Sequence, residues 1–291
     1  MDHSGKPVLE SMIKSILVAL DGSEHAQAAT QYAIWLAGQL EATAVGLHVV
    51  DIVSIEGSGS FLHDISGSLG FEPYLDFSSR MREALQDRGR TLLDSFLASC
   101  RERGVRADTL LTTGIIANEI CEQARTADIV LVGHRGLNEK FSTGLLGGTT
   151  ESVTRKCPKP VLVSPMQFRP ITRPLLAYDG SQRAAAAMHE AAELSAALRL
   201  PLAVLHVGKD EGASQKVLEE AQRYLATYPI AAQYLVRSGY ANETILDVMA
   251  EGAYDLLFIG AYGHSRIVEM VLGSTTEYVL RNSSTPLFLC R

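Results

Sequence analysis

Residues Gly133 to Thr150 read GHRGLNEKFSTGLLGGTT, and residues Gly260 to Thr275 read GAYGHSRIVEMVLGST. Each begins as a glycine-rich turn after an apolar run and closes on a second glycine cluster with hydroxyl residues. Such a stretch offers backbone N–H groups without competing side chains, and room for a phosphate. Its occurrence twice decides the reading of the whole chain, because internal repetition fixes the unit of folding.

Other landmarks recur in the same order. Asp21-Gly22-Ser23 returns as Asp179-Gly180-Ser181, and His48-Val49 returns at the same offset as His206-Val207. Ala117-Asn118-Glu119 returns at a shorter offset as Ala241-Asn242-Glu243, so the first copy holds one large extra segment between His48 and Ala117. Thr149-Thr150-Glu151 matches Thr275-Thr276-Glu277, and Pro160 matches Pro286. The repeating unit is domain-sized. We therefore expect two domains, residues 1–168 and 169–291, joined at MQFRPIT (Met166–Thr172).

The second copy reads most cleanly. Apolar runs at Arg173–Tyr178, Pro201–Val207, Ile230–Arg237, Asp255–Gly260 and Pro286–Cys290 are expected strands. Between them Ser181–Leu200, Asp210–Thr227, Asn242–Gly252 and Ile267–Arg281 are expected helices. In the first copy the strands fall at Ser15–Leu20, Thr43–Val50, Val105–Thr112, Ile129–Gly133 and Pro160–Ser164, with helices at Glu24–Gln39 and Asn118–Ala127. Strands that alternate with helices and are apolar throughout belong to a parallel sheet covered on both faces. Five per unit describe an α/β fold of two tandem, doubly wound, five-stranded parallel sheets, whose ligands bind beyond the carboxyl ends of the strands. The extra segment, about residues 52–77, is rich in Gly and Ser with Phe61, Phe71, Tyr74 and Phe77, and is expected to be a loop.

Composition narrows the function classes. The chain has 291 residues, 46% of them hydrophobic and 20% charged, in the range of ordinary globular domains. No apolar run approaches the length of a membrane span. The N-terminus lacks the pattern of a signal peptide, and Cys100, Cys121, Cys157 and Cys290 show no metal-like spacing, so a cytoplasmic protein with reduced thiols is expected. A net charge of −7 argues against nucleic acid as the partner.

Three features of each unit converge at the carboxyl edge of the expected sheet: the acid after the first strand (Asp21, Asp179), the end of the second strand (Val49, Val207), and the glycine segment after the fourth. An acid there can bind ribose hydroxyls or a metal, although Asp is also a common helix N-cap. An exposed strand end can offer main-chain groups to a base, and a glycine turn with a helix N-terminus can bind phosphate. Together they outline a nucleotide pocket, twice. His48 and His206 beside it read as structural histidines bonded to a neighbouring strand or loop, and His134 and His264 as local phosphate-side or solvent residues. Cys157 and Cys290 read as small packing residues, and Trp35 as core.

On these residues the chain resembles a tandem universal stress protein, two domains of that family in one polypeptide. ATP-binding members carry Gly-x2-Gly-x9-Gly-(Ser/Thr), which Gly260, Gly263, Gly273 and Ser274 match. Gly133 and Gly136 match in the first copy, where a longer spacer, Leu137 to Leu146, leads to Gly147 and Gly148. The resemblance implies a Rossmann-like, adenine nucleotide alpha hydrolase-like sheet of order 3-2-1-4-5. It implies ATP as the ligand, with Mg2+ as its candidate counter-ion. It places Val49 and Val207 against adenine, with Ala19, Asp21, Ala177 and Asp179 by the adenosine. Gly133, Arg135, Gly136, Gly260 and Gly263 then line ribose and phosphate. Gly147, Gly148, Thr149, Thr150, Gly273, Ser274, Thr275 and Thr276 hold phosphates. It also implies pairing of the last strands as an intramolecular pseudo-dimer, and association of such chains as a homodimer.

The sequence lacks the furniture of a fast enzyme. It has no Walker-type Gly-x4-Gly-Lys-(Ser/Thr), no Ser-Gly-Gly-x-Asp-Ser turn of adenylating relatives, and no nucleophile elbow. The reading is a nucleotide-dependent stress-response protein with weak ATPase activity at most. Its rivals are a nucleotide-free interaction module and a true ATPase or nucleotidyl transferase.

Overall fold

The structure, a computed structural model, describes residues 12–51, 75–136, 148–261 and 273–291, the side chains of residues 75–78 excepted. The first half runs β1 (Ser15–Ala19), α1 (Glu24–Leu40), β2 (Thr43–Asp51), α2 (Leu75–Glu102), β3 (Arg106–Gly114), α3 (Ile116–Gln123) with a 3-10 turn at Ala124–Thr126, β4 (Ile129–Gly133), α4 (Gly148–Lys156) and β5 (Val161–Ser164). The second repeats the order as β6 (Pro174–Ala177), α5 (Gln182–Leu198), β7 (Leu202–Val207), α6 (Glu211–Leu225), β8 (Ala232–Arg237), α7 (Ala241–Glu251), β9 (Leu256–Gly260), α8 (Ser274–Asn282) and β10 (Leu287–Cys290).

The strands form one ten-stranded sheet in the order β3-β2-β1-β4-β5-β10-β9-β6-β7-β8. Each half is a parallel sheet of order 3-2-1-4-5, and β5 meets β10 antiparallel at the centre. The register makes this seam self-complementary. Leu162 faces Phe288, its own counterpart in the repeat, flanked by the pairs Val163–Leu287 and Val161–Leu289. A contact that matches a surface to its own copy is the isologous arrangement of a two-fold dimer, here within one chain.

Strand residues alternate between two apolar layers. Ile16, Val18, Leu131, Leu162, Leu176, Phe258 and Phe288 pack with α1, α2, α5 and α6. Leu17, Val130, Val132, Val161, Val163, Leu257 and Leu287 pack with α3, α4, α7 and α8. The joint between halves is anchored too. Phe168 sits edge-on to Tyr32 at 4.8 Å, and the Tyr32 hydroxyl accepts the Arg169 N–H at 3.2 Å. Trp35, expected in the core, is half-buried and leans on Phe168.

The longest departure from the sequence reading is α2. No helix is expected ahead of β3, yet Leu75–Glu102 is helical for 28 residues, against 15 in its counterpart α6. The extra length therefore belongs partly to a longer helix. Residues 52–74 of the expected loop, and residues 267–272 of the last expected helix, lie outside the described residues.

Candidate functional site: two clefts at the carboxyl edge

Each Asp-Gly-Ser turn is built alike. Gly22 and Gly180 take left-handed backbone angles, φ 84° and 77°, which glycine alone adopts without steric cost. The turn lets the Asp21 carboxylate accept the Ser23 N–H at 2.8 Å, and Asp179 accept that of Ser181 at 2.9 Å. The serine hydroxyls then cap the next helix, accepting the N–H of Ala26 and Ala184, each at 3.1 Å. The N-cap is thus Ser23 or Ser181, not the aspartate, which stands at the mouth of the cleft.

The histidines after this turn are structural. His48 Nδ1 donates to the Leu20 carbonyl at 2.6 Å, and His206 Nδ1 to that of Tyr178 at 2.9 Å. Each bond ties the β2 or β7 end to the turn.

Around these turns lie two clefts of about 280 and 330 Å³. The first is lined by Ala19 and Asp21, by Val49 at the β2 end, by Gly133, Arg135 and Gly136, and by Thr149 and Thr150 of α4. The second is lined by Ala177, Asp179, Val207, Gly260, Gly273, Ser274, Thr275 and Thr276. Gly148 opens α4 without lining the first cleft, and Gly147, Gly263 and His264 lie outside the described residues. The sequence reading missed other wall residues. Ile116 and Ile120 of α3, and Ile245 of α7, give apolar floors. Leu85 and Arg88 of the overlong α2 roof the first cleft beside Asp51. The helix fits there because Gly89 packs on the His48 ring, where a Cβ would come within 2.5 Å of Cδ2.

Two expected roles change on inspection. The Thr150 hydroxyl donates to the Gly133 carbonyl at 2.7 Å, and the Thr276 hydroxyl to that of Gly260 at 2.8 Å. Their hydroxyl protons are engaged in fastening α4 and α8 to the strand ends, which leaves Thr149, Ser274, Thr275 and first-turn N–H groups to meet an anion. His134 is neither phosphate-side nor solvent. Its Nε2 donates to the Leu280 carbonyl at 2.5 Å, across the seam in the other half. Burial lowers its pKa from the ordinary 6.5, with nearby His25 and Arg135 adding to the effect.

Gly133 and Gly260 also serve packing. A Cβ on Gly133 would stand 2.7 Å from that of His25, and one on Gly260 would stand 2.9 Å from the Arg183 carbonyl carbon. Gly136 backs onto the acid: a Cβ there would lie 2.9 Å from Asp21 Oδ2. The cleft thus holds its carboxylate, glycine turn and helix N-terminus in close quarters, a set of groups that fits a nucleotide. Burial raises the Cys100 thiol to about 11 and Cys290 well above its ordinary range, as suits packing groups. Among the described residues no cluster of three or more His, Cys, Asp or Glu could hold a metal ion.

This geometry agrees with what the chain is similar to. A model of the Universal stress protein family matches residues 12–165 and again 171–291. The chain belongs to that family, as a tandem of two of its domains. Universal stress protein Slr1230 of Synechocystis sp. is 33% identical over 96% of this chain and all of its own length. Universal stress protein YxiE of Bacillus subtilis is 27% identical, and 99% of it aligns with 52% of this chain, so one relative spans about one repeat. Among solved structures, a universal stress protein from Archaeoglobus fulgidus superposes with a TM-score of 0.75 at 22% identity, covering 95% of this chain and 98% of its own.

Proposed function

We propose that this chain is an ATP-binding stress-response protein that holds adenine nucleotide in its two clefts and changes its associations accordingly. One observation carries the reading. The acid, the strand end and the helix N-terminus that a nucleotide needs meet in one cleft, and they do so at equivalent positions in both halves. Val49 and Val207 receive the base over the isoleucine floors. Asp21 and Asp179 stand on the ribose side of each cleft, and the first turns of α4 and α8 receive phosphate. Mg2+ accompanies the phosphates, since a hard cation of this kind is held largely by phosphate oxygens and water.

Binding, rather than rapid turnover, is the favoured activity. Both aspartates bond through Oδ1 to their own turns, and His48 and His206 to backbone carbonyls, so these groups are positioned to hold the cleft walls. The domains are taken as 1–168 and 169–291 and the compartment as cytoplasmic. No helix among the described residues is long and apolar enough to cross a membrane.

The test is to purify the full chain, denature it, and quantify released nucleotide by chromatography and mass spectrometry, with back-titration of the stripped protein. One adenine nucleotide per cleft is expected. Failure to bind ATP, ADP or AMP at millimolar concentration would overturn the reading.

A further inference from the structure

The two clefts share a helix N-terminus, a turn aspartate and an apolar floor, and they differ in cations. Arg135, half-buried, and Arg88, exposed on α2, line the first cleft, and neither makes an ion pair among the described residues. The acids on that lining are Asp21 and Asp51, so its formal charges balance. No arginine or lysine lines the second cleft among the described residues, and Asp179 stands there without a compensating charge. The contrast has two sources in the sequence. Arg135 gives way to Tyr262 in the repeat, and Arg88 sits on a helix that its counterpart does not match in length. Residues 137–147 and 262–272, outside the described set, are each balanced in formal charge: the first stretch has Glu139 and Lys140, the second Arg266 and Glu269. Residues 52–74, also outside it, carry Glu56, Asp64 and Glu72, so the contrast is drawn between the described linings alone.

We propose that the first cleft is selective for polyphosphorylated nucleotides, and that the second accepts adenosine ligands with little regard to phosphate number. The inference rests on the functional reading above. A guanidinium without a carboxylate partner offers its planar fork to phosphate oxygens. Its attraction grows with each negative charge on the ligand. In the second cleft the helix N-terminus attracts phosphate while Asp179 repels it, so added phosphates change affinity little. The two halves thereby sort adenine nucleotides by charge.

Calorimetric titration of the full chain with adenosine, AMP, ADP and ATP at fixed ionic strength tests this. Ala241→Trp fills the second cleft and isolates the first; should it fail to fold, Ser274→Trp, at an exposed position, replaces it. With the second cleft filled, ATP is expected to bind about tenfold or more tighter than AMP. Adding Arg88→Ala and Arg135→Ala brings that ratio near unity and is partly rescued by Arg→Lys at both positions. The same double change in the otherwise unsubstituted chain leaves a second site with a flat ATP-to-AMP ratio. An unaltered ratio in a double variant that melts like its parent overturns this inference and leaves the functional reading standing. Loss of all adenine-nucleotide binding in the unsubstituted chain overturns both.

Discussion

The imidazole of His134 crosses from one half of the molecule to the other, its Nε2–H donating to the carbonyl oxygen of Leu280. The residue follows Gly133 directly, so the glycine turn of the first cleft is tied to the last helix of the second half. His25 lies beside it, with ring centroids 6.0 Å apart.

The burial of this imidazole, which outweighs the opposing effect of its bond to Leu280, predicts a pH-dependent stability. The pKa of His134 is lowered in the folded chain relative to the ordinary 6.5. Between the depressed value and 6.5 the unfolded chain binds more protons, so stability is full above 6.5 and falls as pH drops through it, levelling off below the depressed value. His134→Gln keeps a neutral donor. It should cost about 1 kcal/mol at pH 8 and flatten the loss between pH 7 and 5. Thermal melts across that range check it, and an undiminished slope in the variant would count against the assignment.

Glycine replacements should separate by what surrounds them. Gly133→Ala and Gly260→Ala push a methyl into the backbone of α1 and α5, and each should destabilise by about 1–3 kcal/mol. Gly148→Ala meets nothing within 4 Å at the start of α4 and should be neutral, or stabilising by up to about 1 kcal/mol. Urea unfolding of the three variants reads the difference directly.

Threonine-to-valine changes test the fastening of α4 and α8. Thr150→Val and Thr276→Val keep the shape and remove the donor to the strand-end carbonyl. Each should cost about 1–3 kcal/mol by leaving a carbonyl without its partner, whereas Thr→Ser should be milder. Equal stability of the valine and serine forms would refute the role.

At the seam, Phe288→Ala removes a fully buried ring that packs at 4.8 Å on Phe258 and faces Leu162 across the strands. The expected cost is about 3–5 kcal/mol. Leu162→Ala, its counterpart, should cost about 2–5 kcal/mol. The two residues are direct neighbours, so the double variant should depart from additivity. Strict additivity in denaturant melts would argue against their coupling.

Much of this architecture was legible in the amino-acid order. Short apolar runs gave the eight inner strands to within a few residues, because buried parallel strands tolerate little else, and the partly exposed edge strands β3 and β8 followed from their place in the repeat. The repeat then supplied the two units, the family resemblance their strand order, and the strand ends the groups at the cleft. What escaped has physical reasons. Helix α2 begins beside the glycine- and serine-rich stretch, is highly charged between Arg80 and Arg90, and has no counterpart of its length in the second copy, so Leu85 and Arg88 were missed with it. The role of His134 depends on a main-chain carbonyl 146 residues away, which no side-chain pattern signals. The hydroxyls of Thr150 and Thr276 look like ligand donors in any motif, and only coordinates reveal that their protons are already engaged.

The antiparallel meeting of β5 and β10 has a consequence for how the molecule responds to dilution. Two separate polypeptides joined by such a contact would part as their concentration fell. Here a joint of a few residues, Met166–Thr172, holds the partners at an effective concentration on the order of millimolar, whatever the amount of protein in solution. Assembly becomes unimolecular, and each half is released from the need to remain a copy of the other. The carbonyl that receives His134 can stay while the first half takes up arginines at its cleft and the second does not.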